Sequence, residues 1–467
     1  MRLYRLRSTN SLLGKYNELL TQTIYFAPPH EFNDPLEGAW NVIFKGDKIV
    51  WENMFRHFLL CMEYKAIMSM LHTQDTSKQF YEQDFPIFSS VSNLPTEMYK
   101  DFFKHIEERF FSYAIVYKWI KYLGSKTTAL NSKQLLGIFY LISVYALESI
   151  LFIQASKGLI NNSNILESLT NLTADDSSIP DIAKNVAEDS FDAFLDILSN
   201  YIEQQNFQFY LSMGENAKLI NWSYFIHDFP SEYIKHLPQL VYPNWYAAAF
   251  MGAFPTDISL WGHYADSSKG VCLIFDAKES DRNPYIEVER PTGFSSKDGI
   301  AINYSPIHFE KVRYDGCKVE TSFFNRLWNQ PRYIVENEWY KNRDLETSPL
   351  INELNYAQDK SIHSAYVNDL RKIQTTKTKE WEVENEYRLL LESSFFDFST
   401  PQKRVLKYDF SYLTGIVFGI NISKHDKANI IKIIQDKCSK YSRSDFLLYQ
   451  ARYDEVKMKI VKDRVTL

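Results

Sequence analysis

Glycine and proline are scarce in this chain, 15 and 16 among 467 residues. Collagen-like, linker-like and disordered chains need far more of both, so those classes are excluded. Cysteine is scarcer still. The four thiols, Cys61, Cys272, Cys317 and Cys438, lie far apart and form no Cys-x-x-Cys pair. Neither a disulfide scaffold nor a structural zinc site is supported. No charge sign dominates: 52 basic residues stand against 58 acidic ones, a balance of −6. That argues against a surface built throughout to hold nucleic acid. The phosphate-cradling glycine loops, the His-Glu-x-x-His helix and the Gly-x-Ser-x-Gly elbow are all missing. The ten histidines are scattered, so no metal is expected. Residues 1–7 alternate charged and apolar side chains without an apolar core. No secretory signal is therefore expected, and the location expected is cytoplasmic.

Aromatic residues are abundant at 16%, and the apolar share of 45% is ordinary for globular domains. The length accommodates two or three domains. One stretch, Leu135 to Ile153, is almost wholly apolar and long enough to span a bilayer, but Glu148 interrupts it. An ionised carboxylate in hydrocarbon costs about 2.5–3.5 kcal/mol. A buried helix is the stronger reading and membrane contact through 135–153 the weaker.

Three zones follow from the patterning. Residues 1–45 carry a short strand at Leu3–Leu6, a helix capped near Ser8 and a strand at Thr23–Phe26 that Pro28 and Pro29 end. Residues 46–240 show three- and four-residue apolar spacing, predicting helices over Trp51–Met70, Thr96–Lys121, Ser132–Lys157, Pro180–Gln204 and Glu232–Leu237. Residues 241–467 are mixed. Strands are expected at Gly270–Asp276, Tyr387–Leu391, Gly415–Phe418, Phe446–Gln450 and Val456–Val461, and helices at Thr321–Asn342, Leu350–Lys377 and Lys424–Lys437. The class is α+β for residues 1–45 and 241–467, with 46–240 an all-helical insertion.

Four segments carry candidate chemistry. Tyr4-Arg5-Leu6-Arg7 sets two guanidiniums on one face of a strand, suited to forked bonds with phosphate or carboxylate; a charged edge strand is the plain alternative. Phe32-Asn33-Asp34-Pro35-Leu36-Glu37 is turn chemistry whose carboxylates can also line a pocket. Leu260-Trp261-Gly262-His263-Tyr264-Ala265-Asp266 gathers stacking rings, a titratable group and a hydroxyl, or else packs a strand. In Glu380–Arg388, a strand would put Glu382, Glu384, Glu386 and Arg388 on one face, whereas a helix would pair Glu384 with Arg388; the preferred form is a helix end or turn leading into a strand at Tyr387.

Taken in order, these segments resemble the bacterial family catalogued as domain of unknown function 2971. The correspondence rests on Tyr4-Arg5, Phe32-Asn33-Asp34-Pro35, Trp261–Ala265, Lys269–Cys272, Trp381–Arg388 and Phe418-Gly419. The layout is also similar to that of ADP-ribosyltransferases: an Arg-bearing first strand, an aromatic segment before a second strand and a late Glu-x-Glu. That likeness implies a small mixed sheet of the ADP-ribosyltransferase fold, interrupted by the helical insertion. It implies NAD as substrate, with Arg5 holding phosphates or ribose, Trp261, His263 or Tyr264 orienting the ring, and Glu384 or Glu386 as the catalytic carboxylate. Tyr4, Arg7, Asn33, Asp34 and Arg388 complete the expected binding set. The Ser-Thr-Ser strand of that layout is absent here.

The expected protein is a bacterial effector of antiphage-defence or toxin type that cleaves NAD and passes ADP-ribose to a macromolecule or water. Its acceptor and any phage trigger are not named by the residues. Glu386→Gln, or else Glu384→Gln, is expected to abolish turnover with thermal stability nearly unchanged. Two rivals stand beside it. One is a nuclease or phosphotransferase holding a divalent ion with Asp34, Glu37, Glu384 and Glu386, and a phosphate with Arg5 and His263. The other is a non-catalytic sensor.

Overall fold

The computed structural model describes residues 1–14, 16–34, 37–38, 41–72, 85–161, 164–173, 179–213, 223–295, 299–316, 319–352, 360–392 and 396–466. The chain divides into two compact units. The first comprises Met1–Ala39, Asn244–Lys318 and Asp369–Leu467; the second comprises Trp40–Pro243 and Val319–Asn368. Residues 319–368 thus cluster with the helices rather than with the mixed zone. The cause is a strand pairing: Glu320–Ser322 pairs in parallel with Asn41–Phe44, whose other edge takes Leu130–Asn131.

In the second unit, helices run over Lys48–His72, Glu97–Ser112, Ala114–Ser125, Ser132–Ser156, Ile179–Ala183 and Glu188–Met213, among others. The single helix expected from Thr96 to Lys121 is two, because Tyr113 is extended at φ −70°, ψ 125°. The helix expected over Thr321–Asn342 is not formed. A strand opens that stretch, and Pro331 begins one helical turn, Arg332–Ile334, that widens into a π turn burying Trp339. The apolar helix Ser132–Ser156 opens with a capping box from Asn131 and Gln134. It is mostly buried inside the protein. Its Glu148 accepts from Arg109 Nε at 2.9 Å and from the Tyr113 hydroxyl, which supplies the charge compensation a buried carboxylate needs.

The first unit is built on eleven strands in one sheet. They are β1 (Arg2–Arg7), β2 (Thr23–Tyr25), β3 (Trp245–Met251), β4 (Val271–Asp276), β5 (Tyr285–Ser295), β6 (Gly299–Lys311), β7 (Glu386–Glu392), β8 (Val405–Tyr408), β9 (Leu413–Phe418), β10 (Leu447–Asp454) and β11 (Lys459–Arg464). Their order is β11-β10-β9-β4-β1-β3-β7-β6-β5-β8-β2. The sheet is mixed, since β9 and β10 run parallel while β1 is antiparallel to β4. It is therefore α+β as expected, but large rather than small. Strands β3, β5, β6 and β8 are not among those the pattern predicts. The period of two sends Leu3, Phe250, Leu273 and Ile416 into one core and Leu6, Met251, Cys272 and Val417 into another. The helix Lys424–Lys440 buries Ile430 and Ile434 against the first of these cores.

One irregularity positions the site. All six residues of β1 pair with β4, but toward β3 only Tyr4↔Met251 pairs. Beyond it the two strands part. Arg5 and Phe250, and after them Leu6 and Ala249, are the pairs the register would form next and does not, and β3 is bridged farther along by Ala27↔Ala247. The sheet is open along this seam.

Candidate functional site

The seam opens into a cleft of about 720 Å³, within the range that holds small ligands. Its floor is Ala247-Ala248-Ala249 of β3, where small side chains leave the space clear while the Ala248 methyl packs into the first core. Arg5, Arg7, Tyr25 and Phe32 line it, together with Asn33, Glu37, His263, Tyr264, Lys377 and Glu386. A recess of about 50 Å³ joins Tyr4, Arg5, Leu6, Tyr264, Lys377, Glu384 and Glu386. Residues from all three stretches of the first unit therefore reach one concavity.

Arg5 and Arg7 differ in state. Arg7 Nε donates to Glu18 at 2.8 Å, so its charge is already met. Arg5 is buried, donates to the Tyr25 carbonyl at 3.3 Å and lies over the Phe250 ring. No carboxylate among the described residues pairs with it. Burial lowers its pKa to about 10, with Arg7 adding to the fall and Glu18 opposing it. A buried guanidinium without a counter-charge is costly to fold. Its place on a cleft wall is what an anion-binding group requires.

The acidic cluster lies across from it. The helical turn Lys379–Glu384 ends at Asn385, which takes the left-handed conformation at φ 44°, and β7 starts at Glu386. Asn tolerates that conformation better than most residues. The break lets both flanking carboxylates reach one ammonium: Lys377 Nζ lies 2.7 Å from Glu384 Oε2, 2.7 Å from Glu386 Oε2 and 3.3 Å from Glu37 Oε2. Arg388 Nε donates to Glu386 Oε1 at 2.8 Å, and its Nη2 pairs with Glu37. The Tyr264 hydroxyl donates to Glu384, and Asn33 bonds the same hydroxyl. The Tyr314 hydroxyl accepts from the Glu386 amide at 2.7 Å.

The electrostatics follow from this packing. Burial pushes the Glu386 carboxyl up to about 7; Lys377 opposes the rise and Glu384 adds to it. Burial works against the charge on Lys377, but the carboxylates of Glu386 and Glu384 hold its pKa above the ordinary lysine value. Burial lowers Arg388 to about 9, with Asp34 opposing. Burial and the Glu384 charge raise the Tyr264 phenol. Glu386 is thus a carboxylate poised near neutrality on the wall of a cleft, a common mark of acid–base chemistry.

The residues expected at the site are not all where they were expected. Tyr4, Arg5, Tyr264, Glu384 and Glu386 meet at the recess, and Arg7, Asn33 and His263 line the cleft. Trp261 does not. Its indole is fully buried and donates to the Pro255 carbonyl at 2.9 Å, so it packs the short helix Ile258–Tyr264 and cannot stack on a ligand. Arg388 is also fully buried, with its donors spent on Glu386, Glu37 and the Gln374 carbonyl. It organises the acids from beneath rather than touching a ligand. Asp34 is buried near Arg388 and does not line the cleft. Pro35 and Leu36 lie outside the described residues. Lys377, Tyr314 and the alanine floor were missed. Nothing in Thr375-Thr376-Lys377-Thr378 distinguishes that lysine from an exposed one, but a run of three alanines inside an aromatic-rich strand is a visible signal of space.

Residues 260–389 match the model of a family described as protein of unknown function (DUF2971). The likeness to that family is confined to the matched segment. It spans less than half the chain. It includes His263, Tyr264, Lys377, Glu384, Glu386 and Arg388, and leaves out Arg5, Asn33 and Glu37. Lys377, Glu384 and Glu386 thus lie within the matched segment, while Glu37 and Arg5 are supplied from outside it. No curated protein and no solved structure matches the chain.

Proposed function

We propose that the cleft binds NAD, breaks its nicotinamide–ribose bond and transfers ADP-ribose to a macromolecule or to water. On this reading the sheet is a large variant of the ADP-ribosyltransferase fold. One observation carries it: a carboxylate raised to about 7 shares one recess with an arginine that has no counter-charge among the described residues. The substrate has the matching polarity, with anionic phosphates on one side and a cationic glycosidic centre on the other.

The chemistry follows from these positions. Arg5 holds the phosphates by forked bonds. The C1′–N bond breaks and its electron pair leaves with nicotinamide, which departs neutral. The sugar is left as an oxocarbenium ion, which the ionised Glu386 stabilises. An acceptor oxygen or nitrogen then bonds to C1′ and its proton passes to Glu386. Losing one preorganised electrostatic contact of this kind costs about 2.7–4 kcal/mol, a hundredfold or more in rate. Tyr264 and Lys377 fix Glu384, which sets the charge Glu386 feels. His263, exposed on the rim, lies where it can contact the leaving ring or the acceptor.

The metal-dependent rival is less well supported. The ammonium of Lys377 already stands among Glu37, Glu384 and Glu386, the position a divalent ion would need. Sensitivity to a chelator would favour that rival.

The Glu386→Gln chain separates binding from chemistry. It is expected to gain melting temperature on addition of NAD while releasing no nicotinamide, whereas the parent chain consumes NAD. A parent chain that neither binds nor consumes NAD overturns the proposal.

A further inference from the structure

At the other edge of the same unit, Lys462 of β11 points its ammonium into three aromatic rings. Its Nζ lies 5.0 Å from the centroid of Tyr4, 4.8 Å from Phe254 and 4.8 Å from Tyr449. Tyr4 and Phe254 meet edge to face at 5.9 Å. The rings come from β1, from the loop after β3 and from β10, so the cage is set by sheet register and not by one loop. Among the described residues no carboxylate pairs with Lys462. Burial lowers the pKa of this ammonium; Cys272 opposes the fall and Arg2 adds to it. All four side chains are half-buried.

A primary ammonium is a poor tenant for such a place. It is strongly hydrated, and here it gives up water without receiving a carboxylate in return. A quaternary ammonium has no N–H to satisfy and is weakly hydrated, so it loses less on entering. It also puts methyl groups against the rings while keeping the charge that the ring faces attract. Lys462 is easily moved as well, since β11 is the edge strand of the sheet and pairs only with β10.

We propose that the Tyr4–Phe254–Tyr449 cage is a binding site for quaternary ammonium groups, which Lys462 fills in the free protein and yields when such a group arrives. The ligand chemistry is a trimethylammonium head, whether of choline type or of a trimethylated lysine. The proposal does not depend on the NAD reading. Tyr4 also lines the acidic recess, so occupancy of the cage is placed to be felt there.

Calorimetric titration of the full chain with choline and, separately, with free trimethyllysine tests this. The control is 3,3-dimethylbutan-1-ol, the uncharged isostere of choline. Lys462→Ala empties the cage and is expected to tighten binding of at least one of the two cations tenfold or more over the parent chain. The tighter ligand identifies the source. The isostere is expected not to bind, and Tyr449→Ala in the Lys462→Ala background is expected to remove the gain. Lys462→Gln, which keeps a polar side chain on the edge strand, is expected to behave like Lys462→Ala. Equal binding of cation and isostere, or no binding of either cation to both Lys462 variants, overturns the proposal.

Discussion

Lys377 and Glu386 form a buried ion pair at 2.7 Å, and the same ammonium also holds Glu384 and Glu37. One cation therefore organises three carboxylates, and the state of the proposed catalytic acid depends on a residue that need not touch substrate.

Lys377→Met leaves three carboxylates crowded without their ammonium. Breaking a buried pair by removing one partner costs about 3–5 kcal/mol. The orphaned acids are then raised in the folded state and bind protons that the unfolded chain does not. Their penalty is absent below the unfolded carboxylate pKa and grows as pH rises toward the raised value. Thermal melting of Lys377→Met is expected to recover toward that of the parent chain at mildly acidic pH and to fall steeply above neutrality. A pH-independent loss contradicts the role.

Glu386, raised to about 7 by burial, is expected to give a rate of NAD cleavage that rises with pH through about 7, because the ionised form stabilises the sugar cation and takes the acceptor's proton. Glu384 adds to that rise, so Glu384→Gln is expected to move the inflection to lower pH. The pH dependence of kcat/KM checks both statements. An unmoved inflection would remove Glu386 as its origin.

Arg5→Met tests whether the free guanidinium is kept for a ligand. A hydrogen bond to a charged group is worth about 1.5–3 kcal/mol, or roughly ten- to hundredfold in binding. KM for NAD is expected to rise by that factor. Stability is expected to hold or improve, since a buried charge with no ion pair among the described residues is replaced by an apolar chain. A large fall in melting temperature would make Arg5 structural.

Trp261 has the opposite signature. Trp261→Ala is expected to cost about 3–5 kcal/mol of stability, the usual loss for emptying a core site of that size. Trp261→Phe is expected to leave KM for NAD unchanged. A KM effect without a stability effect would return the indole to the cleft.

The expected insensitivity of stability to Glu386→Gln needs revision. Glu386 accepts from Lys377 and Arg388 in a fully buried setting. An amide cannot satisfy both cations, and a loss of about 1–3 kcal/mol is expected alongside the lost turnover. Melting curves of Glu386→Gln measure it directly.

Several of the structural features were legible from residue pattern. The charged alternation of Tyr4–Arg7 reads as a strand because period two is local, and the run Val271–Phe275 reads as a buried strand because it is continuously apolar. A helix end or turn leading into a strand near Tyr387 could be placed within Glu380–Arg388, and Arg5, Tyr264, Glu384 and Glu386 do meet at one recess. What failed was whatever depends on partners distant in sequence. Glu320–Ser322 leaves the expected helix because Asn41–Phe44 offers it a ladder. The strand β3, with Ala247-Ala248-Ala249, lacks the bulky alternation that marks a strand, since its role is to leave room. Trp261 and Arg388 have the chemistry of ligand-binding residues, and only packing shows that their polar atoms are already spent. Lys377 has no local signature at all, because its importance comes from three carboxylates brought to it by other elements.

The central claim is that Glu386 and Arg5 serve one sugar–phosphate substrate. The most direct measurement is free nicotinamide released from NAD by the full chain, compared with Glu386→Gln and Arg5→Met at mildly alkaline pH. The account predicts release by the parent chain, loss of a hundredfold or more in Glu386→Gln, and release by Arg5→Met restored only at high NAD. Release that persists at the parent rate in folded Glu386→Gln would contradict it.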